Sequence, residues 1–377
     1  MLNVLMTASV SFLITLLAVP VIMKVAEEKK LYDLPDARKI HTRPIASLGG
    51  VGIFIGFFLA LLLTVSSTTY PEFQYFFAAA IIIFFLGIKD DILVISAQKK
   101  FLGQMVAAAI LIHLGDLRIY SMQGVFGITD LPPVLSYILS YATVIVVINA
   151  FNLIDGVDGL ATTLGLLTMT VFGAYFFVAD MPAYAALSFA MAGSLVAFLI
   201  FNYNPAKIFM GDSGSLLLGL INSILVIKFI SVANNPNILF PIESAVAVGF
   251  SILMVPLADT LRVFSIRIFK GRSPFAPDRN HIHHLLLDRG LNHKYVVICC
   301  LLINILFISL AYFGRHLGPT FLLTSMAVMS FSMLGCLIYF KKPVKTIIVS
   351  KSFQPSVPTH SKTKVVSINM ETAIAEN

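Results

Sequence analysis

Charged residues are scarce in this chain. Asp, Glu, Lys and Arg make up 12% of its 377 residues, whereas hydrophobic residues make up 58% and the mean hydropathy is +0.91. A soluble domain of this length carries about twice that share of charge. The composition therefore excludes a soluble globular protein and predicts a chain embedded in a membrane.

Cysteine is scarce as well. Cys299, Cys300 and Cys336 all lie within apolar runs, show no metal-ligand spacing and support no disulfide framework. We expect them to pack as small hydrophobic residues. The first apolar run, Met6–Met23, lacks the basic segment and the small-residue cleavage site of a signal peptide, so we interpret it as a membrane span.

Apolar runs close to the ~20 residues that cross a bilayer recur along the chain. They predict an all-α, polytopic membrane protein with about eleven transmembrane helices. The shortest run, Phe101–Leu114, is also compatible with a re-entrant or interfacial segment. The predicted cores are Met6–Met23, Leu48–Val65, Phe73–Ile88, Phe101–Leu114, Val134–Ala150, Leu160–Ala179, Ala183–Phe201, Leu216–Ile230, Ser244–Val263, Tyr295–Tyr312 and Phe321–Phe340.

The distribution of basic residues predicts the topology. If the N-terminus lies outside and the chain crosses eleven times, the inside segments hold 23 of the 26 Lys and Arg residues, and the outside keeps Arg118, Lys228 and Arg315. This is a strong positive-inside signal, which places the C-terminus in the cytoplasm. The net charge of +7 then reflects topology and contact with anionic membrane lipids, and we expect no nucleic-acid partner.

The chain divides into a membrane domain, residues 1–340, and a polar, basic tail, residues 341–377. The tail carries lysines spread among Ser, Thr and Pro. We expect it to be disordered or to lie on the inner leaflet.

Acids near the ends of apolar runs need a physical reason, because burying a charge near a bilayer is unfavourable. Asp90 and Asp91 end the third run. Adjacent carboxylates repel each other and usually need a cation or a shared proton. They indicate either a site for a magnesium-bound phosphate or a charge cluster that merely ends the helix.

The segment from Asn149 to Leu160, which joins the fifth and sixth runs, contains Asn149, Asn152, Asp155 and Asp158 but no Lys or Arg. Its glycines, including Gly156, allow a ligand to approach the backbone closely. Acids without local basic partners indicate a site for a cation or a polar substrate. Asp158 alone would also be explained as a cap of the next helix.

A third acidic segment precedes the eighth run. Asp212 lies between two glycines, where a metal ion and phosphates have room to approach. Upstream, Asn202 and Phe209 offer an amide and an aromatic face to a planar base. An interfacial anchor is the alternative for Phe209.

The largest inside loop places His281, His283 and His284 within four positions, after Arg279. Such groups can spread the charge of a diphosphate during phosphoryl transfer. A zinc site and a solvated basic loop are the alternatives.

Two further charged groups are interpreted differently. A basic segment around His41 precedes a glycine pair at the second run, which indicates a close approach of backbone or ligand. Asp259 lies three residues before Arg262 on one helix face. For Asp259 we therefore expect a structural ion pair.

These segments, in this order and on one membrane face, resemble the MraY/WecA-type polyprenyl-phosphate glycosyl-1-phosphate transferases across about residues 1–340. The motifs are Asp90-Asp91, the Asn-Leu-Ile-Asp-Gly-Val-Asp-Gly run from Asn152, Phe-Met-Gly-Asp-Ser-Gly from Phe209 and His-Ile-His-His from His281. The histidine motif, preceded by Ser-Pro-Phe-Ala-Pro-Asp-Arg, looks like the WecA branch, which uses UDP-N-acetylhexosamines. The branch that transfers phospho-N-acetylmuramoyl-pentapeptide ranks lower.

The resemblance implies an activity. An N-acetylhexosamine 1-phosphate, with GlcNAc-1-phosphate as first choice, passes from a UDP-sugar to undecaprenyl phosphate, and UMP is released. It implies Mg²⁺ as the cofactor, with Mn²⁺ as a substitute. It also implies the bacterial inner membrane, an active site on the cytoplasmic face, and a homodimer as an assembly to test.

The resemblance also implies roles for single residues. Asp90 would ready the lipid phosphate, either for direct attack or for an aspartyl-phosphate route, while Asp91 would lie near the cation and Asp212 would bind Mg²⁺. Asn152, Asp155, Gly156 and Asp158 would shape a pocket for the nucleotide and the metal ion. Asn202 and Phe209 would hold uracil. Contacts with the diphosphate or the sugar would come from His41, Arg279, His281, His283 and His284.

Three other classes fit the pattern less well. A secondary transporter would place its acids near mid-bilayer, whereas these lie at span ends. An intramembrane aspartyl protease needs two acids that face each other within the membrane. A CDP-alcohol phosphatidyltransferase needs Asp-Gly-x-x-Ala-Arg, and Asp155-Gly156 is followed by Val-Asp-Gly-Leu-Ala without that Arg.

Overall fold

A computed structural model describes residues 2–33, 45–271, 273 and 281–339. The predictions for His41, Arg279 and the tail 341–377 lie outside the described residues. Helices dominate the described part, as the apolar runs predict. They are α1 (Leu2–Lys29), α2 (Gly49–Thr64), α3 (Glu72–Leu93), α4 (Ala97–Ala109), α5 (Pro133–Ile154), α6 (Leu160–Val178), α7 (Pro182–Asn202), α8 (Gly211–Ala233), α9 (Ala245–Ile252), α10 (Met254–Phe269), α11 (Ile282–Leu287), α12 (His293–Phe313) and α13 (Pro319–Tyr339).

Seven helices in the described residues are long and apolar enough to cross a bilayer, and α9 with α10 makes eight if the two count as one bent span. The seven are α1, α5, α6, α7, α8, α12 and α13. The protein is therefore a multi-pass membrane protein. The other predicted cores fall on α2 and α4, which are shorter, and on α3, which carries charged residues at both ends. The count of eleven spans and the outside N-terminus stay predictions.

The predicted core Ser244–Val263 is not one straight helix. Helices α9 and α10 meet at an angle of 85°. Pro256 has no amide hydrogen to donate to the preceding turn, and Asn304 of α12 bonds to the backbone at the break. Its Oδ1 accepts from the Val255 amide at 3.0 Å, and its Nδ2 donates to the Ile252 carbonyl at 2.9 Å. A broken helix persists in a membrane where a neighbour satisfies the freed backbone groups in this way.

Two short antiparallel strand pairs add detail that the all-α prediction lacks. Strand β1 (Tyr32–Asp33) pairs with β2 (Ile45–Ala46), and β3 (Ser121–Val125) pairs with β4 (Ile128–Asp130). Beyond β2, the Phe209 amide donates to the Ala46 carbonyl at 2.8 Å. The first pair therefore holds the segment before α2 against the segment before α8.

Helix α8 is the central helix of the bundle. It is the most deeply buried of the seven candidate spans, with 83% of its apolar window inside the protein. Helix α3 packs against its beginning without space for a side chain, because a Cβ at Gly87 would lie 2.4 Å from the Ser213 Cα. Small residues allow such close helix packing in membranes, and here they bring the acidic end of α3 onto the first turn of α8.

Hydrogen bonds at the two ends of the bundle show that the helices alternate in direction. At one end, side chains join the end of α3 to the starts of α4 and α8 and to the end of α5. At the opposite end, Tyr184 at the start of α7 donates to Glu72 at the start of α3, and Ser231 near the end of α8 donates to the Arg118 carbonyl. The first of these ends carries the predicted acids and is called the site end below.

Candidate active site

Lys100 lies at the centre of the site end. Its Nζ donates to Asp90 Oδ2 at 3.0 Å, to Asn152 Oδ1 at 3.3 Å and to Asp212 Oδ2. An ammonium group has three hydrogen atoms to donate, and these three acceptors match them. Lys100 thus connects its own helix, α4, to three others. Its partners Asp90, Asn152 and Asp212 are 10, 52 and 112 residues away from it in sequence.

Asp212 is held from a second side by an amide. Asn152 Nδ2 donates to Asp212 Oδ1 at 2.6 Å and to the Ser215 hydroxyl at 3.0 Å. The Asp212 side chain nevertheless remains 29% exposed. A carboxylate oriented on both oxygens and open to solvent is a suitable ligand for a divalent cation.

Asp91 binds the beginning of α8. Its Oδ1 accepts from the Asp212 amide at 2.7 Å, and its Oδ2 accepts from the Ser213 amide at 3.0 Å. The first amides of a helix have no partner inside the helix and favour a negative charge. Asp91 therefore fixes the position of Asp212, whereas its predicted contact with a metal ion stays a prediction.

A tight turn at Gly211 allows Asp91 to reach the first amides of α8. Gly211 adopts a left-handed φ of +70°, and a Cβ on it would lie 2.0 Å from the Ser47 carbonyl oxygen and 2.7 Å from Asp91 Oδ1. Glycine is favoured at such a φ and at such a close approach. The Gly-Asp-Ser-Gly sequence thus lets α8 begin directly against Asp91.

Asp90 faces the turn between α3 and α4. Its Oδ1 accepts from the Ile95 amide at 2.7 Å, and its Oδ2 accepts from Lys100. The carboxylate therefore positions both the turn and the lysine. The structure brings Asp90 beside Asp212, as the sequence predicts for a shared site, and the role of Asp90 as a base stays a prediction.

Among the five acids predicted for the site, Asp155 is the one that has no hydrogen bond to another described residue. It follows α5 directly and is partly buried. Burial, together with the negative charges of Asp212 and Asp91, raises the pKa of Asp155 to about 8. Carboxylates near one another in this way favour a proton or a cation between them.

Asp158 holds the loop framework of the site end. Its Oδ2 accepts from Asn204 Nδ2 at 2.8 Å and from the Ala206 amide at 3.1 Å, and His293 Nδ1 lies 3.4 Å away. Burial alone would raise the pKa of Asp158, but the interactions with His293, Ala206 and Asn204 outweigh burial and lower it. These contacts tie the α7–α8 loop to the start of α12, and a catalytic role for Asp158 stays a prediction.

Asn202 belongs to the same framework. Its Oδ1 accepts from the Gly159 amide at 3.1 Å and from the Thr162 hydroxyl at 2.8 Å, while its Nδ2 donates to the Ile208 carbonyl at 3.0 Å. The residue is 3% exposed. Because its polar atoms are bound inside the protein, the predicted contact with uracil gains no support from this position. Phe209 is half-buried nearby, and its contact with a base also stays a prediction.

The histidine segment packs onto the acidic loop. The His283 ring lies against Gly156, since a Cβ there would be 2.3 Å from His283 Nε2. The ring is parallel to that of His281, with centroids 5.8 Å apart, and its centroid lies 4.3 Å from that of His284. Burial, and then the neighbouring histidines, lower the pKa of His283 to about 3, so its ring is neutral near pH 7.

The ion pair predicted for Asp259 is confirmed. Arg262 Nη2 donates to Asp259 Oδ1 at 2.8 Å. Asp259 also binds the histidine segment, since its Oδ2 lies 2.9 Å from His281 Nδ1 and its Oδ1 accepts from the Ile282 amide at 2.9 Å. The sequence did not indicate this second contact.

A cavity of about 90 Å³ lies beside the cluster, between α4, α5 and α10. Lys100 and Asn152 line it, together with Arg267 and the hydrogen-bonded amides of Gln104 and Asn149. Basic and amide groups facing one cavity suit an anionic, oxygen-rich ligand.

Sequence reasoning missed Lys100 as a member of the site. In the sequence, Lys100 belongs with Lys89 and Lys99 to the positive-inside signal. A weak indication is present, because Lys100 directly precedes an apolar run on the same predicted side as the acids. The contacts of the lysine come from distant segments, so spacing could not reveal them.

The residues present fit a magnesium ion. Among the described residues, no three His, Cys, Asp or Glu side chains come together as a complete metal site. Mg²⁺ does not need one, because it commonly binds through one or two carboxylates, waters and substrate phosphates. Asp212, open to solvent, and Asp155, without a hydrogen-bond partner in the described part of the chain, supply carboxylates of that kind.

The fold and site define a class: a multi-pass membrane protein with a carboxylate–lysine cluster at one end of its helices. The model of glycosyl transferase family 4 matches residues 73–230, a segment that contains the whole cluster. The chain is 33% identical over 288 residues to "Decaprenyl-phosphate N-acetylglucosaminephosphotransferase" of Mycolicibacterium smegmatis, covering 70% of each chain. The protein belongs to glycosyl transferase family 4, and the family predicted from the motifs is confirmed.

Two further relatives cover more of the chain. The protein named "Undecaprenyl-phosphate alpha-N-acetylglucosaminyl 1-phosphate transferase" of Yersinia pestis is 28% identical over 361 residues, 94% of this chain and 96% of that protein. The protein of the same name from Escherichia coli O157:H7 is 28% identical over 332 residues, 86% of this chain and 88% of that protein. The similarity thus extends over nearly the full length of both relatives.

Proposed function

We propose that this protein transfers GlcNAc-1-phosphate from UDP-GlcNAc to undecaprenyl phosphate and releases UMP. The observation that carries the proposal is the cluster of Lys100 with Asp90, Asn152 and Asp212, one residue from each of four helix ends. The names of the relatives support a polyprenyl-phosphate acceptor and an N-acetylglucosamine donor. The same names favour this branch over the transfer of phospho-N-acetylmuramoyl-pentapeptide.

In the proposed reaction, an oxygen of the lipid phosphate attacks the sugar-bearing β-phosphorus. The bond between the β-phosphorus and the bridging oxygen breaks, and UMP leaves with that oxygen. One phosphoanhydride replaces another, so the reaction should be nearly balanced in free energy and reversible. A phosphate monoester is largely ionised at pH 7. Direct attack therefore needs no strong base, and we assign Asp90 the role of orienting Lys100.

The side chains of this protein would supply charge and orientation. Asp212 and Asp155 would hold Mg²⁺, which when bound contributes positive charge to the phosphate oxygens. Lys100 would exchange its 3.3 Å hydrogen bond to Asn152 for one to a phosphate oxygen, an interaction that is strong when both partners are charged. Asn152 would keep Asp212 in place, and Asp91 would keep the first turn of α8 in place.

The proposed site lies at the cytoplasmic face of the bacterial inner membrane. UDP-sugars are soluble and anionic, whereas the acceptor phosphate is anchored at the leaflet, so the two meet at a water–lipid boundary. Basic loops around the site would attract both anions. In a cysteine-free variant, a cysteine at exposed Lys99 should resist an impermeant maleimide in intact cells, whereas one at exposed Asp180 should react. The reverse pattern would contradict the assignment.

The activity is tested with purified full-length protein, Mg²⁺, undecaprenyl phosphate and a panel of UDP-sugars. We expect UMP with UDP-GlcNAc, one lipid diphosphate-sugar for each UMP, and no UMP without the lipid. UMP with UDP-N-acetylmuramoyl-pentapeptide alone would move the protein to the other branch. No UMP with any donor would contradict the proposal, and accumulation of a solute in liposomes without chemistry would favour a transporter.

A further inference from the structure

A reciprocal pair of amides joins α4 to α5, deeper in the bundle than the cluster around Lys100. Asn149 Nδ2 donates to Gln104 Oε1 at 2.8 Å, and Gln104 Nε2 donates to Asn149 Oδ1 at 3.4 Å. Gln104 is 1% exposed and Asn149 is 6% exposed. The two side chains are therefore buried, and each donates to the other.

The pair lies on the same helix faces as the residues of the site. Gln104 follows Lys100 by four residues on α4, and Asn149 precedes Asn152 by three residues on α5. Residues three or four positions apart lie on one face of a helix. Since α4 starts and α5 ends at the site end, the contact of Lys100 with Asn152 continues one turn deeper as the contact of Gln104 with Asn149.

Asn149 is also tied to its own helix. An amide nitrogen has two hydrogen atoms to donate. One goes to the Ile145 carbonyl at 2.8 Å and the other to Gln104. Asn149 is thus a fixed point on α5, and Gln104 holds α4 to that point.

Close packing between α4 and α5 is interrupted near Lys100. The cavity of about 90 Å³ lies there, and the amide pair forms part of its wall. The lysine side chain is flexible, so the place of its ammonium group depends on where the backbone of α4 is held. Directional hydrogen bonds of buried polar residues can fix the register of one helix against another, which apolar contacts do less well.

We infer that Gln104 and Asn149 are a positioning pair, which fixes the register of α4 against α5 and thereby places the Lys100 ammonium group for the reacting phosphate. The inference rests on the proposed function and adds two residues that need not touch a substrate. A slide of α4 by one residue would move Lys100 by about 1.5 Å. A misplacement of about 1 Å at a reacting group can lower a rate about 100-fold.

Apolar substitutions separate positioning from stability. Gln104→Met and Asn149→Leu each leave a buried polar partner without its hydrogen bond, so each should lower the Tm by a few degrees. In the double variant neither amide remains. Replacing both partners of a hydrogen bond by apolar groups can be nearly neutral, so the double variant should recover most of the lost Tm while the directional contact stays absent.

Asn222→Leu is the matched control. Asn222 is a fully buried amide in α8, and its Nδ2 donates to the Leu218 carbonyl of the same helix at 2.9 Å. Its Oδ1 has no hydrogen-bond partner among the described residues. The substitution therefore removes a buried amide without changing how α4 meets α5, and we expect kcat near that of the wild type.

The experiment measures UMP release by purified full-length variants with UDP-GlcNAc and undecaprenyl phosphate. A thermal melt in detergent first shows that each variant is folded. We expect both single variants and the double variant to lower kcat about tenfold or more, although the double variant is nearly as stable as the wild type. Gln104→Met is also made together with Lys100→Met. There it should lower kcat further by less than about twofold, because the group that it positions is already gone.

The possible results separate the inference from the proposed function. Near-wild-type kcat in the folded double variant would overturn the inference, because the pair would then only stabilise α4. An equal loss from Gln104→Met with and without Lys100 would overturn it too, because Gln104 would then not act through the lysine. If the double variant does not fold, Gln104→Met in the two backgrounds decides alone, since Asn149 keeps its bond to Ile145. A wild type that releases no UMP would overturn the proposed function and the inference with it.

Discussion

Replacing Lys100 by Met would remove the cation that joins Asp90, Asn152 and Asp212. Breaking a buried ion pair costs about 3–5 kcal/mol of folding free energy, and an exposed pair is worth about 1 kcal/mol or less. The side chains of Lys100, Asp90 and Asp212 are 16%, 12% and 29% exposed. We therefore expect an intermediate loss of about 1–3 kcal/mol, seen as a Tm lowered by several degrees.

The same substitution should affect binding of Mg²⁺ and activity in opposite directions. Without the ammonium, two carboxylates are left facing each other, so Mg²⁺ should raise the Tm of Lys100→Met more than that of the wild type. Loss of a preorganised donor to a reacting phosphate typically lowers kcat by about 100-fold or more. UMP release measures kcat, and a thermal melt across a Mg²⁺ titration measures the shift.

The neighbouring lysine provides the control for this prediction. Lys99 is exposed and adjacent in sequence, so Lys99→Met removes the same charge from the same side of the membrane without touching the cluster. We expect it to keep near-wild-type kcat. Equal activity of Lys100→Met and Lys99→Met would refute the reasoning, and so would equal stabilisation of both by Mg²⁺.

Three further predictions concern the framework of the site. Gly87→Ala should lower the yield of folded protein or the Tm, since overpacking costs about 1–3 kcal/mol, whereas Gly335→Ala, whose Cβ would have no atom within 4 Å, should behave as wild type in the same melt. Asp91→Ala removes the cap of α8, so it should lower the folding free energy by about 1 kcal/mol or more and should also lower kcat. A thermal melt measures the first effect and UMP release the second. Unchanged values of both would mean that Asp91 does not position Asp212. Asp155 has a folded pKa of about 8, above the ordinary value near 4, so folding stability without Mg²⁺ should fall as pH rises from about 4 to 8. Over the upper part of that range apparent Mg²⁺ affinity should rise by up to about tenfold per pH unit. Asp155→Asn should reduce both trends, and trends of unchanged size would exclude Asp155 as a source.

Local features of the sequence predicted the class of fold, and the membrane face that carries the site stays a prediction. Apolar runs and the positive-inside bias are properties of continuous segments, and the pair of Asp259 with Arg262 lies within one helical turn. These features needed no knowledge of how the helices pack. The bend before Pro256 was missed, because Asn304, which stabilises it, comes from another helix.

The composition of the site was only partly predictable, because one residue type serves different purposes. Asp158 and Asn202 resemble site residues in sequence, yet their hydrogen bonds tie loops together. Lys100 resembled a topology signal, yet it lies between the acids. Residue type and spacing cannot separate these cases, since the distinction depends on contacts between distant segments.

The most direct test of the central claim compares the wild type with Asp212→Asn in Mg²⁺-dependent UMP release from UDP-GlcNAc and undecaprenyl phosphate. Both proteins are first shown to be folded by a melt in detergent. The account predicts turnover by the wild type that stops when Mg²⁺ is chelated, and no detectable turnover by Asp212→Asn. Near-normal UMP release by folded Asp212→Asn would contradict the account, because the cluster would then not be the place where the phosphates react.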